Sequence, residues 1–359
     1  MELLKMVAKE LFLELVSIFK IQNMEIRRWK FYILCFYCLL LSDFGFGQSK
    51  INGISFVASD NEITTNAIEP VIAINANWVT LMPFGFMKTE SDTLLVFNSK
   101  QQWINERKEG IEATAKLFKN KKIKVMLKPQ IWIPKGGFTG KIKMKSEKEW
   151  ITFENNYEKF ILFYAKIAQT SNCELFCIGT EMNSFVIARP KYWVNLISKI
   201  KKIFTGKITY AENWDTYATV PFLDSLDYIG IDAYFPLDNA KTPTIKATET
   251  AWQPLKKEMK QLAKKHNKKI LFTEYGYQSK DYTTLEPWDH SKSSTVNLKG
   301  QENALTAIFN QFWKEDWFAG GFLWKWYDNN IEAGGTSDSD YTVQNKPSEK
   351  IVKKQYSKK

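Results

Sequence analysis

A chain of 359 residues can bury a large core, as one big domain or two ordinary ones. Its formal charge of +11 is spread over scattered lysines, and no nucleic-acid module is recognisable, which favours a solvated lysine-rich surface over nucleic-acid binding. With only two histidines, His266 and His290, both among polar neighbours, there is little room for a His-rich zinc site or a Ser-His-Asp triad.

The first recognisable segment lies before the fold. Arg27, Arg28 and Lys30 precede an apolar run from Phe31 to Leu41, and a small-residue exit follows through Gly47. This order predicts a secretory signal peptide over 24–47, with an apolar run too short to span a membrane comfortably. Residues 1–23 then read as an upstream extension from a start assigned too early, and a signal-anchor is the alternative. No convincing lipoprotein cleavage pattern precedes Cys35 or Cys38. The expected product is exported, carries one domain over 48–359, has no stable membrane insertion and is a monomer. Its remaining thiols, Cys173 and Cys177, lie on or near one strand, too far apart to bridge easily, so they are expected to be buried and free.

The mature stretch alternates. Strands are predicted at Ile51–Ala58, Trp78–Phe84 and Ile123–Lys128, the last stopped by Pro129, with a helix at Trp103–Lys119 between the second and third. A loop over 130–148 is long enough to be functional. Then come a helix at Glu149–Thr170, a strand at Leu175–Glu181, a helix at Tyr192–Phe204, and strands at Lys207–Ala211 and Leu226–Ala233. A helix at Trp252–His266 leads to the apolar run from Ile270 to Phe272, which meets Thr273 and Glu274. A polar stretch over 279–299 contains Trp288, a helix covers Glu302–Trp313, the last strand is Gly321–Tyr327, and Pro347–Tyr356 closes the chain. Strand–helix alternation without a Gly/Ser-rich linker predicts an α/β fold with a parallel sheet, and eight units suit a (β/α)8 TIM barrel. The alternative, a doubly wound open sheet, calls for a glycine-rich phosphate loop that Gly53 alone does not supply.

In such a barrel the C-terminal strand ends line one mouth. Those positions carry Lys128, Glu181, Asn213, Tyr234, Glu274, Trp324 and Trp326, with Thr180 beside Glu181 and with Trp132 and Trp214 on adjoining loops. An apolar strand cannot hold an isolated charge cheaply, so its terminal glutamate is expected to point into a cleft. For either glutamate alone a salt bridge or helix cap is the plainer reading. Their matched places on the fourth and seventh strands favour a pair. Rings that stack on pyranose faces, with amides and carboxylates for hydroxyls, describe a sugar cleft. Cleaving a glycosidic bond needs one carboxylic acid and one carboxylate. Trp324 and Trp326 flank Lys325 on one side of the last strand, so one can be a platform while the other is core. Tyr234 can simply pack, and Cys177 reads as filler.

The motifs Ile178-Gly179-Thr180-Glu181, Tyr210-Ala211-Glu212-Asn213-Trp214, Ile229-Gly230-Ile231-Asp232-Ala233-Tyr234, Phe272-Thr273-Glu274-Tyr275-Gly276 and Gly321-Phe322-Leu323-Trp324 resemble clan A retaining glycoside hydrolases. Within that clan they look most like glycoside hydrolase family 113, known for β-1,4-mannanases. The resemblance covers nearly all of the mature chain. It implies Glu181 as acid/base, Glu274 as nucleophile, Tyr234 as a hydrogen-bond partner of Glu274, and Trp324 as floor under the attacked sugar. It also implies carboxyls roughly 5–5.5 Å apart, retention of configuration, and no metal or cofactor. Thr180 departs from the asparagine most clan members place before the acid/base to meet the sugar 2-hydroxyl. Either that contact is weaker, or Asn183 or Asn213 replaces it, or the substrate is unusual. The expected partner is a polysaccharide or oligosaccharide, with β-1,4-mannan or glucomannan favoured. A β-glucan or exo-β-mannosidase specificity, or a non-catalytic glycan-binding barrel, is the alternative.

Overall fold

A computed structural model describes residues 50–358 and, before them, only Glu10, Leu11, Leu13, Glu14 and Ser17. The expected signal peptide at 24–47 lies outside the described residues. From β1 (Ile51–Phe56) the strands are β2 (Trp78–Leu81), β3 (Phe84–Phe86), β4 (Lys124–Leu127), β5 (Gln130–Trp132), β6 (Leu175–Thr180), β7 (Lys207–Asn213), β8 (Tyr228–Asp232), β9 (Lys269–Tyr275) and β10 (Phe318–Trp326). The helices are α1 (Thr65–Ala73), α2 (Lys108–Asn120), α3 (Glu147–Thr170), α4 (Asn183–Ala188), α5 (Pro190–Ile203), α6 (Ile245–His266), α7 (Leu298–Phe312) and α8 (Pro347–Tyr356). Eight strands close into a parallel barrel in the order β1-β10-β9-β8-β7-β6-β4-β2, and they are the eight predicted ones.

Two apolar layers hold the barrel. Its inside is filled by Trp78, Met126, Leu175, Cys177, Tyr228, Leu271 and Phe322. A larger cluster, including Ile54, Val79, Ile178, Ile229, Phe272 and Leu323, takes up helical residues such as Phe118, Tyr157, Trp193 and Phe312. Alternation along each strand feeds both layers, which is why these strands read as continuous apolar runs. Cys173 and Cys177 are buried and unpaired, as expected.

Helix starts differ from the prediction because caps are polar and carry no apolar period. Ser146 accepts the Glu149 N–H at 3.2 Å, so α3 begins at Glu147. Thr244 accepts the Ala247 N–H at 3.2 Å, so α6 begins seven residues before the predicted Trp252. Helices α1 and α4 were not predicted; α1 holds an internal proline, Pro70, and α4 is six residues long.

The stretch read as a loop after Pro129 contains β5. It pairs with β3 in parallel, and this ledge continues β2 and β4 past their barrel ends. Leu81 pairs with Leu127 and Phe84 with Gln130, so one offset of 46 residues runs through both segments. Pro83 and Pro129 interrupt the ladder because neither has an N–H to give, and pairing resumes through the Gln130 N–H to Pro83 O at 2.9 Å. Phe84, Phe86, Gln130 and Trp132 share one face of the ledge, while Gly85 and Ile131 are buried on the other.

Candidate active site

The strands that carry the two glutamates both change register at their C-terminal ends. In β9 the partners step from Ile231–Phe272 to Asp232–Glu274, leaving Thr273 over. In β6 the step falls between Cys177 and Thr180, just before Glu181. Such irregularities re-aim a side chain at a barrel rim. Glu181 itself has φ 52°, the left-handed region that non-glycine residues enter rarely and mostly at functional sites. It is held there by its N–H, which donates to Ala211 O at 2.7 Å.

Glu274 is 7 % exposed and faces donors only. Its Oε1 accepts from Lys128 Nζ at 2.6 Å and from Gln130 Nε2 at 3.0 Å, and its Oε2 accepts the Tyr234 hydroxyl at 2.8 Å. Lys128 also reaches both Asp232 oxygens, at 3.0 and 3.1 Å, and Thr273 Oγ1 donates to Asp232 at 2.7 Å. Strands β4 and β8 are not neighbours in the sheet, so this ion pair crosses the top of the barrel interior. Burial alone would lower the Lys128 pKa, but the two carboxylates outweigh it and hold the ammonium charged above its ordinary range. Burial, followed by the Glu274 charge, raises Asp232 to about 7.

Glu181 has the opposite surroundings. Burial raises its pKa well above the ordinary carboxylate range, and the charges of Asp232 and Glu274 raise it further, with Lys128 opposing. Beneath it, the Met182 N–H donates to the Tyr210 hydroxyl at 2.8 Å, which donates to Glu212 Oε2 at 3.2 Å. Glu212 is buried, and its pKa rises to about 6, chiefly through that burial. Trp193 and Phe222 pack their rings against Tyr210, and Phe185 and Tyr157 extend the cluster behind Trp193.

Both glutamates line one cavity of about 500 Å³ with Phe138, Asn213, Trp214, Tyr234, Trp288, His290, Trp324 and Tyr341. Trp214 and Trp288 stack at 5.0 Å with 17° between planes, forming a flat double ring in the wall. Gly276 lets the end of β9 approach Trp324: a β-carbon there would sit 2.5 Å from the Trp324 carbonyl oxygen. An adjoining cavity of about 280 Å³ is lined by Gln130, Trp132, Phe138, Thr180, Glu181 and Trp324.

The structure therefore gathers Glu181, Glu274, Asn213, Trp214, Tyr234 and Trp324 around one space, with Trp132 and Thr180 beside it. Two sequence assignments are corrected. Lys128 is fully buried under Glu274 and Asp232, so it supports a carboxylate instead of touching sugar. Trp326 is 1 % exposed and belongs to the core. The reason is a register step in β10, where Ile54 pairs with Leu323 but Phe56 with Trp326; the extra residue puts Trp324 and Trp326 on different sides. Asn213 lines the cavity, whereas the Asn183 amide donates to Thr219 at 3.2 Å outside it. The Thr180 hydroxyl is covered and has no partner among the described residues.

Gln130, Asp232, Trp288, His290 and Tyr341 were not picked out from sequence. Asp232 had a signal: it ends an apolar strand just as the two glutamates do. Trp288, an aromatic isolated in a polar stretch, had a weaker one. Among the described residues, no group of three or more His, Cys, Asp or Glu side chains is placed to hold a metal ion.

A model of glycoside hydrolase family 113 matches residues 57–346. The solved structure of the family 113 β-mannanase AaManA from Alicyclobacillus acidocaldarius, in complex with ManMIm, is 26% identical with a TM-score of 0.75, covering 86% of this chain and 97% of that one. A structure of a family 113 β-1,4-mannanase shares the fold at 24% identity and TM-score 0.75, over 87% of this chain and 100% of its own. The β-glucuronidase of Faecalibacterium prausnitzii shares the barrel more distantly, at 15% identity and TM-score 0.56, over 86% of this chain and 49% of that one. No curated protein sequence matches significantly. The family match runs from just after β1 to just before α8, and the chain belongs to glycoside hydrolase family 113, as a glycoside hydrolase built on a (β/α)8 barrel.

Proposed function

We propose that the chain is an exported retaining hydrolase of β-1,4-mannan or glucomannan, working through Glu181 and Glu274. The observation that carries this reading is the contrast between the two carboxyls. Three donors and no acceptor hold Glu274 as an acceptor, while burial and negative neighbours keep a proton on Glu181. In the first step Glu274 attacks the anomeric carbon as Glu181 passes its proton to the departing glycosidic oxygen. The carbon–oxygen bond to the leaving sugar breaks and a glycosyl ester forms on Glu274. In the second step Glu181 takes a proton from water, the water oxygen bonds to the anomeric carbon, and Glu274 leaves. Two inversions give net retention. Trp324 serves as floor beneath the attacked sugar. Asn213 meets the hydroxyl that Thr180, with its covered oxygen, does not, a role supported by its position in the cavity wall.

The preference for mannan is supported by a 26% identical structure described as a β-mannanase. Export is supported by the basic-then-apolar segment at 24–47; N-terminal sequencing of protein released from cells, starting near Gln48, checks it. For the chemistry, sugar released from β-mannan is followed by proton NMR for wild type and Glu274→Ala. Wild type is expected to release the β-anomer first, and the variant to release nothing above background. First release of the α-anomer, or equal activity in the two proteins, would sink the assignment.

A further inference from the structure

A second cavity of about 500 Å³ lies off the reaction centre, with Phe84, Phe86, Gln102, Trp103, Glu106 and Trp132 in its wall. Trp103 and Trp132 are 50% and 55% exposed. Contiguous exposed rings on a lysine-rich protein mark a binding surface better than a stray exposed side chain would. The groove is also connected. Phe84 and Trp132 are shared with the 280 Å³ cavity, which shares Phe138, Glu181 and Trp324 with the reaction centre. Three hollows thus run in series along one rim of the barrel, and the ledge face of β3 and β5 lines the outer two.

The polar groups in this groove are pinned. Gln102 Oε1 accepts the Ser99 N–H at 3.0 Å, and its Nε2 donates to Phe84 O at 2.9 Å and to Glu106 Oε2 at 3.1 Å. Glu106 is 6 % exposed, and its other oxygen has no hydrogen-bond partner among the described residues. Burial pushes the Glu106 pKa upward, so the carboxyl is better able to donate a hydrogen bond as well as accept one. Two ring faces for C–H surfaces and one buried carboxyl for a hydroxyl make the mixed lining that fixes a sugar.

We propose that this groove is a distal subsite for sugars of the same polysaccharide chain whose bond is cleaved at Glu181 and Glu274, a proposal that rests on reading their cavity as the cleavage site. The occupant follows from continuity: a chain lying in the reaction centre and leaving past Trp324 and Phe138 meets Trp132 and then Trp103.

The test uses a residue of the outer groove alone. In Trp103→Ala, the ratio of kcat/KM for polymeric mannan to that for mannotriose is expected to fall about tenfold, the loss of one aromatic stacking contact, and Trp103→Phe to recover most of it. An unchanged ratio overturns the subsite. Glu106→Gln gives the same comparison from the polar side, with a fall expected. Calorimetric titration of Glu274→Gln separates this proposal from the assignment of the substrate, using manno-, glucomanno- and cello-oligosaccharides of rising length. A gain in affinity with length that Trp103→Ala abolishes supports the subsite. If the gain belongs only to cello-oligosaccharides, the subsite stands and the mannan assignment falls. No gain with length in any of the three overturns the subsite.

Discussion

Lys128 shows how one buried charge can hold the proposed reaction centre together. It serves Asp232 and Glu274 at once, and without it two carboxylates face each other in the barrel top. Lys128→Met is therefore expected to lose about 3–5 kcal/mol of stability in denaturant unfolding, the cost of leaving a buried partner unpaired. Replacing the proposed acid has a different signature. Glu181→Gln is expected to lower kcat by about 10²–10⁴ on sugar leaving groups, and by much less on an aryl glycoside whose phenolate departs without a proton. Activity is expected to fall as pH rises through the elevated Glu181 pKa, because the acid is then lost. Asp232 contributes to that elevation, so Asp232→Asn moves the alkaline limb of kcat/KM to lower pH. An unmoved limb would show that the two groups are not coupled. At this scale the sequence was legible where a charge ended an apolar run, as at Glu181 and Glu274. It misled at Lys128, whose place at a strand end was read without its parity. Met126, two residues earlier, is in the inner layer, and Lys128 follows it inward.

Strands β7, β9 and β10 carry their own constraints. Glu212, in β7, has a folded pKa of about 6 against an ordinary value of 4.5. A raised carboxyl pKa means that the folded state binds the proton more tightly, so stability is lost as pH rises from 4.5 through 6. The shift is worth about 2 kcal/mol. Relative to wild type, Glu212→Gln is expected to gain about that much stability as pH rises from 4.5 to 7 in paired denaturant titrations; a weakened link to Tyr210 lowers the variant equally at every pH and leaves this change intact. At the end of β9, Gly276→Ala forces a contact with the Trp324 backbone, and such overpacking typically costs about 1–3 kcal/mol. Because the displaced partner is the proposed sugar floor, KM is expected to rise as well, which a purely structural defect elsewhere would not produce. Register steps explain why element-level reading stopped short. Periodicity located every barrel strand, but a one-residue step in β10 decided which tryptophan faces the cleft, and nothing in Trp324-Lys325-Trp326 announces that step.

Across the whole molecule, eight buried strands were legible because each must be apolar on both faces to fill two layers, and that demand is written in composition. The walls of the cleft were not, since Trp288, His290 and Tyr341 arrive on irregular segments whose paths follow no period. Among the described residues stability resides in the core and not in cross-links: Cys173 and Cys177 are free and buried. Dithiothreitol is expected to leave the unfolding temperature of the barrel unchanged, and a fall of several degrees would reveal a stabilising cystine. The ledge of β3 and β5 has a different kind of consequence. It keeps the barrel's register beyond the two prolines, so its height and the barrel beneath are separable quantities. Adding two residues to each strand would carry Trp132 outward by about 6–7 Å with the same face toward the cleft, whereas adding one would turn the aromatic face to the helices. Cleft length in this fold is thus adjustable in paired increments, a dimension on which relatives can diverge, or be redesigned, without disturbing the carboxyls at the centre.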